Sequence, residues 1–173
     1  HYGSPGGMAN VGGISPFMPN HCGSEPLDRP LYIEWVNRMR NYLASPPPPT
    51  AVKRGDDRSI PRYYAMLATE DMLLEAGVKL FYHHTFFDVV KEGKRISAVI
   101  FTGKSGLSAI RAKMVIDSTG DGDVAAVAGC DYEFGNADGF CQPMTLCFKL
   151  SHIDRSRTPD RGTISELYCR AKE

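Results

Sequence analysis

The chain has 173 residues, 20 basic and 20 acidic side chains, and a formal net charge of zero. This balance argues against a nucleic acid or an anionic membrane as a partner, since either would select a basic surface. No apolar run approaches the roughly 18–20 residues that span a bilayer. The odd number of cysteines, five, argues against a complete disulfide framework, and the absence of any C-x-x-C pair argues against zinc or an iron–sulfur cluster. We interpret them as reduced thiols of a cytoplasmic protein.

The first segment of the chain, residues 1–23, holds six glycines and three prolines among scattered apolar side chains. This composition predicts irregular backbone instead of a helix or strand. Glycine-rich backbone of this kind is used where a ligand must approach the main chain closely. A disordered tail is the alternative, although tails are normally more polar.

Two helices are predicted next. The first spans residues 31–44 on an apolar stripe of helical period, in which we assign Trp35 to core packing. Pro46–Pro49 follow it as a stiff spacer. The second helix is predicted to begin at a Ser59 cap and to end at Gly77.

After the second helix the chain is predicted to form strands separated by turns and loops. Apolar segments separated by glycine-containing turns are typical of antiparallel hairpins, and they predict a β-meander after the second helix. A last helix is predicted from the capping box Thr163–Glu166. The predicted strands span Val78–His83, Thr85–Val90, Ile96–Phe101, Leu107–Arg111, Met114–Ser118 and Met144–Leu150.

The segment 114–129, MVIDSTGDGDVAAVAG, is the most informative in the chain. It predicts a buried strand, a Gly/Asp turn and a small-residue helix from Val124 to Ala128, which is a geometry that gathers backbone N–H groups around a nucleotide pyrophosphate. Asp121 and Asp123 would repel bare phosphate but would accept hydrogen bonds from ribose or ribityl hydroxyls. Alternatively, one of these two aspartates is only the N-cap of the helix.

Four strings carry a family resemblance: Gly6–Asn10 with Gly12, the run Gly77–Val90, the run Val115–Gly129 and Gln142–Leu146. In this order they resemble the FAD-dependent oxidoreductase family with the glutathione-reductase-like flavin fold. The resemblance is greatest to the branch labelled xanthan-lyase-like or heterodisulfide-reductase-A-like. It implies an α/β fold, namely a partial FAD/NAD(P)-binding Rossmann-like domain with an inserted β-meander, truncated at both ends.

The resemblance also implies a role for each string. The glycine-rich string lies along the flavin ribityl chain and pyrophosphate, with Asn10 near the isoalloxazine ring. The backbone of Phe87 meets the adenine edge, and Ser118–Gly120 followed by Asp121 corresponds to the family's A-T-G turn. The implied FAD-binding residues are Gly6, Gly7, Met8, Asn10, Phe87, Ser118, Thr119, Gly120, Asp121 and Asp123.

The strand followed by G-x-G-x-x-G and a helix, which is the family's most diagnostic motif, is absent from this sequence. We therefore expect an internal fragment that binds FAD weakly or not at all when alone, since a main helix N-terminus for the pyrophosphate is missing. The expected division is a flavin-contacting loop (1–29), a helical segment with a Pro-rich linker (30–76), the meander with the return strand, turn and helix (77–135), and the start of a substrate or cap region (136–173).

The implied chemistry is transfer of a hydride or an electron pair between FAD and a small organic substrate, with a possible electron-transfer partner. His21 lies downstream of the glycine-rich loop and is the candidate for a substrate-side catalytic role. Cys22 beside it is interpreted as a passive thiol, because no second cysteine is near it in sequence. A carbohydrate-active or carbohydrate-binding protein of lyase type, and a scaffold without a competent site, stay open as alternatives.

Overall fold

The computed structural model describes residues 2–13, 21–23, 25–27, 30–46, 60–147 and 150–171. Within these ranges the chain forms five α-helices, five strands and a short 3-10 helix at Arg155–Arg157. The helices are α1 (Gly7–Asn10), α2 (Leu31–Asn41), α3 (Arg62–Glu75), α4 (Asp123–Val127) and α5 (Arg161–Arg170), and the strands are β1 (His21–Cys22), β2 (Glu25–Pro26), β3 (Thr85–Glu92), β4 (Arg95–Gly103) and β5 (Gly106–Ile110).

The hydrophobic core lies between α2 and α3. Val36 and Ala68 are fully buried there and Met39 is only 2% exposed, while Trp35 packs against them half-buried, as the sequence predicted. Both predicted helices are thus confirmed, although α2 ends at Asn41 and not at Ala44. Helices of this length are marginal alone in water, so packing of their apolar faces against each other is what stabilises them.

The C-terminal end of α3 lies where the sequence predicted it, whereas the predicted N-terminal cap is not described by the structure. Ser59, the predicted cap, lies outside the described residues, and Pro61 occupies the N-cap position. Gly77 ends the helix as predicted, with a left-handed φ of +73°. The N–H of Gly77 donates to the carbonyl of Leu74 and that of Val78 to Leu73, which is the Schellman arrangement that satisfies the last carbonyls of a helix.

Polar contacts reinforce the packing of α2 on α3. Trp35 Nε1 donates to Thr69 Oγ1 at 2.9 Å, and Arg38 lies between the carboxylates of Glu34 and Glu75, with N···O distances of 2.8 and 2.6 Å. These hydrogen bonds to carboxylates raise the pKa of Arg38 above its ordinary value. Since the ion pairs are largely open to water, which screens them, the buried apolar contacts dominate the stability of this unit.

Replacing Thr69 with valine is expected to destabilise the helical pair by about 1 kcal/mol, because the indole N–H loses its acceptor. Trp35 is the one tryptophan of the chain, so its fluorescence reports this site directly during urea unfolding. Thr69→Ser keeps the hydroxyl and serves as the control. A Thr69→Val protein as stable as Thr69→Ser would show that the hydrogen bond does not contribute.

Strands β3, β4 and β5 form an antiparallel sheet in that order, which confirms the three central strands of the predicted meander. Val89 pairs with Val99, and Val99 pairs with Ile110, so these apolar residues align across the sheet. The β3–β4 register shifts between Phe86 and Asp88, which places Phe87 in a bulge. The bulge leaves the backbone of Phe87 outside the regular ladder.

Three predicted strands are wrong within the described residues. Residues 78–83 leave the helix in a turn, in which His83 has a left-handed φ of +54° and donates its N–H to the carbonyl of Tyr2. Residues 114–118 and 144–147 form no strand, since no neighbouring strand of the described chain pairs with them; Ile116 is 85% exposed. Residues 148–149 of the last prediction lie outside the described part.

Two local predictions at the chain's ends also need correction. The glycine-rich N-terminal run was expected to be irregular, but residues 7–10 make one helical turn. The predicted Thr163–Glu166 capping box is wrong as well. Helix α5 begins earlier, because the carboxylate of Asp160 accepts the N–H of Thr163 at 2.8 Å and takes the N-cap role.

Candidate functional site

The Gly/Asp turn before α4 is organised by Asp117. One oxygen of its carboxylate accepts the N–H of Thr119 at 3.0 Å and the hydroxyl of Thr119 at 2.8 Å. The other oxygen accepts the N–H of Ala125 at 2.9 Å. Thr119 Oγ1 in turn accepts the N–H of Asp123 at 2.9 Å, so a chain of hydrogen bonds ties the turn to the first turn of the helix.

These hydrogen bonds lower the pKa of Asp117 below its ordinary value, with the N–H of Thr119 as the largest cause. The alternative prediction, that Asp121 or Asp123 is the N-cap of the helix, is wrong. Neither side chain caps the helix: Gly122 holds the N-cap position in a left-handed conformation, and no side chain caps it in the usual manner. Asp117 and Thr119 satisfy the helix N-terminus instead, which leaves Asp121 and Asp123 exposed.

The turn offers open backbone beside these carboxylates. Gly120 and Gly122 have φ values of +101° and +74°, and a Cβ added at either position would meet no described residue within 4 Å. Within the described structure, the N–H groups of Gly120, Asp121 and Gly122 are left without an acceptor. A ligand with both hydroxyls and acceptor atoms therefore suits this turn better than a bare phosphate, which the neighbouring carboxylates would repel.

The glycine-rich loop contributes a second open stretch of backbone at α1. Asn10 is 2% exposed and donates Nδ2 to the carbonyl of Pro5 at 2.7 Å, whereas its Oδ1 is buried without a partner in the described chain. A Cβ added to Gly6 would lie 2.1 Å from Asn10 Nδ2, so glycine is required there. Gly7 faces open space, and the Met8 side chain is exposed.

Phe87 belongs to the third element of the predicted site. Its side chain is 58% exposed, and the bulge frees its backbone from the β3–β4 ladder. A backbone position free of sheet pairing is compatible with the predicted contact with an adenine edge. β-Bulges are over-represented next to active sites.

The structure brings part of the predicted site together. Helix α4 packs against β3, and Lys91 of that strand donates to the carbonyl of Ala128 at the end of α4. The turn and the Phe87 strand therefore belong to one packed unit. Helix α1 packs against α3 instead, and its loop reaches the sheet side through the hydrogen bond between His83 N and Tyr2 O at 3.1 Å.

His21, the catalytic candidate, lies in β1, where its backbone pairs with Pro26. Among the described residues, no group of three His, Cys, Asp or Glu side chains is placed to hold a metal ion. The same part of the chain contains no helix with the length and apolar character to cross a membrane.

Asp117 is the organising residue that the sequence analysis missed. An Asp before a glycine-rich stretch is a local turn signal, because its carboxylate accepts the backbone N–H two residues further on. The spacing of Gly120, Gly122 and Ala125 is a further signal, since it matches the dinucleotide-binding fingerprint that ends in alanine. That fingerprint normally follows a strand, and residues 114–118 form none here.

A family model described as FAD dependent oxidoreductase matches residues 1–172. Comparison with curated proteins and with solved structures gave no match. The family match confirms the resemblance found in the sequence, while the narrower branch stays a prediction. The family implies a Rossmann-like α/β fold, and the helices and three-stranded antiparallel sheet are consistent with part of such a domain. Because the match spans nearly every residue, the chain belongs to the FAD dependent oxidoreductase family, which indicates an oxidoreductase that uses FAD.

Proposed function

We propose that the chain forms part of an FAD site through the α1 loop, the bulge at Phe87 and the 117–123 turn. The observation that carries the proposal is the hydrogen-bonded turn around Asp117, which fixes open glycine backbone next to two exposed carboxylates. Such a surface presents acceptors to sugar-like hydroxyls and N–H groups to acceptor atoms. FAD carries both kinds of group.

The residues present fit the cofactor on two further observations. Among the described residues, none lies within 4 Å of a Cβ added at Gly7, Gly120 or Gly122, and none donates to the buried acceptor Asn10 Oδ1. In the proposal, Asp121 and Asp123 accept hydrogen bonds from cofactor hydroxyls. Ser118 and Thr119 complete the turn, Gly6 makes room for the Asn10 amide, Gly7 admits the cofactor to the backbone, and Met8 lies against it.

When bound, FAD supplies the capacity to accept or donate an electron pair, and the protein supplies binding and orientation. The substrate in this proposal is a small organic molecule, with His21 on the substrate side and an electron-transfer partner to complete turnover. Residues 136–173 contribute to a substrate or cap region. The five cysteines are exposed and unbridged in the structure, which supports a cytoplasmic location as part of the proposal.

The direct test is an NMR titration of the labelled 173-residue chain with FAD. We expect weak binding, with a Kd on the order of 100 μM, because no strand of the described chain leads into the Gly120–Ala125 turn and the sequence has no G-x-G-x-x-G turn to hold a pyrophosphate. Amide shifts should concentrate at Gly6, Gly7, Gly120 and Gly122. An unchanged spectrum at millimolar FAD, or shifts spread evenly over the chain, would count against the proposed site.

Gly6→Ala is expected to weaken FAD binding about five-fold, since a left-handed residue gains a Cβ that displaces the Asn10 amide. Gly23→Ala is the matched control, because Gly23 also has a positive φ of +63° but no described residue lies within 4 Å of the added Cβ. The same titration measures both variants. Equal losses for the two would assign the effect to general backbone strain and not to the α1 loop.

A further inference from the structure

A basic cavity lies at the turn end of the β3–β4 hairpin, where Glu92 pairs with Arg95, apart from the residues assigned to FAD. Its volume is about 360 Å³. We call it the hairpin cavity. It is lined by Glu92, Arg95, Ser97, Arg111, Ala112 and Lys113.

The charges of the hairpin cavity are unbalanced. Three cationic side chains and one carboxylate line it, although the whole chain is neutral. Glu92 and Arg95 are cross-strand partners in the sheet register, yet the ion pairs found among the described residues are those of Arg38. Among the described residues, the three cations of the cavity therefore have no carboxylate paired with them. Their mutual repulsion favours the binding of an anion between them.

We propose that the hairpin cavity binds the phosphate group of a small anionic ligand. A phosphate dianion matches the cavity's excess of positive charge, whereas a single carboxylate would leave part of it uncompensated. Two guanidinium groups present planar pairs of donors that suit phosphate oxygens, and a lysine adds a point charge. The cavity volume lies at the lower end of the range for small-molecule sites, which fits a phosphate with a short organic group.

The ligand class is tested by isothermal titration of the chain with ribose 5-phosphate and, separately, with inorganic phosphate at constant ionic strength. Tighter binding of ribose 5-phosphate identifies a phosphate monoester as the ligand, and equal binding identifies free phosphate. No heat from either at millimolar concentration would overturn the proposal. Binding that FAD abolishes by competition would also overturn it, because the cavity would then belong to the cofactor site.

Two charge variants of the cavity are expected to change the phosphate affinity in opposite directions. Arg111→Gln is expected to weaken phosphate binding about ten-fold, since a charge-assisted hydrogen bond is lost. Glu92→Gln is expected to strengthen it about three-fold, because a like charge is removed from the cavity. Lys104→Gln, in the β4–β5 turn outside the cavity, should leave the affinity unchanged. Equal losses for Arg111→Gln and Lys104→Gln would show a nonspecific effect of net charge and would overturn the site.

Discussion

Replacing Asp117 with alanine is expected to weaken FAD binding about ten- to thirty-fold, the largest effect on affinity in this site. The carboxylate accepts hydrogen bonds from Thr119 N, Thr119 Oγ1 and Ala125 N, and these bonds set the path of the open glycine backbone. Without it, several donors of the turn lose their acceptor at once. The turn then samples other conformations, and FAD must select a minor one.

The same NMR titration measures the loss, with Asp131→Ala as the control. Asp131 is an exposed carboxylate just after α4, so its removal changes the net charge equally without touching the turn. Asp117→Asn keeps one carbonyl acceptor and should lie between wild type and alanine. Unaltered affinity in Asp117→Ala would mean that this turn is not part of the FAD site.

Asp117 also gives a pH signature. Its pKa in the folded chain is lower than its ordinary value of 3.8, so the carboxylate stabilises the turn at every pH above that value. This contribution is lost as the pH falls through the depressed folded-state pKa. Asp154 and Asp160 have pKa values lowered in the same direction, so the informative quantity is the stability difference between wild type and Asp117→Asn. That difference should shrink below about pH 4.

Replacing Met39 with alanine is expected to destabilise the α2–α3 pair by about 2–4 kcal/mol. Met39 is 2% exposed and packs with Val36 and Ala68 in the core. Deleting its side chain removes buried apolar surface and leaves a cavity that these small neighbours cannot fill. Urea unfolding followed by Trp35 fluorescence measures the change, since Trp35 packs on the same core.

Leu31→Ala is the control for Met39→Ala within the same helix. Leu31 is 64% exposed, and its truncation should cost no more than about 0.5 kcal/mol. Similar losses for the two variants would contradict the described packing of α2 on α3. A loss confined to Met39→Ala would confirm which face of the helix is buried.

The elements that the sequence predicted well are those with local causes. The apolar stripe around Val36 and the stop at Gly77 act within a few residues, so α2 and α3 could be located. Glycine turns such as the one at Gly93, with φ +62°, fixed the meander in the same way. Helix α4 followed from its small residues and the turn before it.

The elements that were missed depend on partners distant in sequence or on competition between side chains. An apolar run such as 114–116 becomes a strand only beside another strand, and the described chain places none there. Three aspartates lie close enough in sequence to cap α4, and only the folded structure shows that the Asp117 carboxylate accepts the N–H of Ala125. The bulge at Phe87 follows from the register of β3 against β4, which composition does not reveal.

The contact between Lys91 and the end of α4 has a consequence for local opening. Because α4 packs on β3, the Asp117 turn and the Phe87 bulge should open and close together as one cooperative unit. Amide hydrogen exchange detects this opening. The α1 loop packs on α3 and therefore belongs to a second unit, formed by the helices α1, α2 and α3. The hydrogen bond from His83 N to Tyr2 O joins this helical unit to the sheet side. A cofactor that contacts both units would therefore slow amide hydrogen exchange in both of them. Protection that increases in both units on adding the ligand is then the sign of a ligand that bridges them.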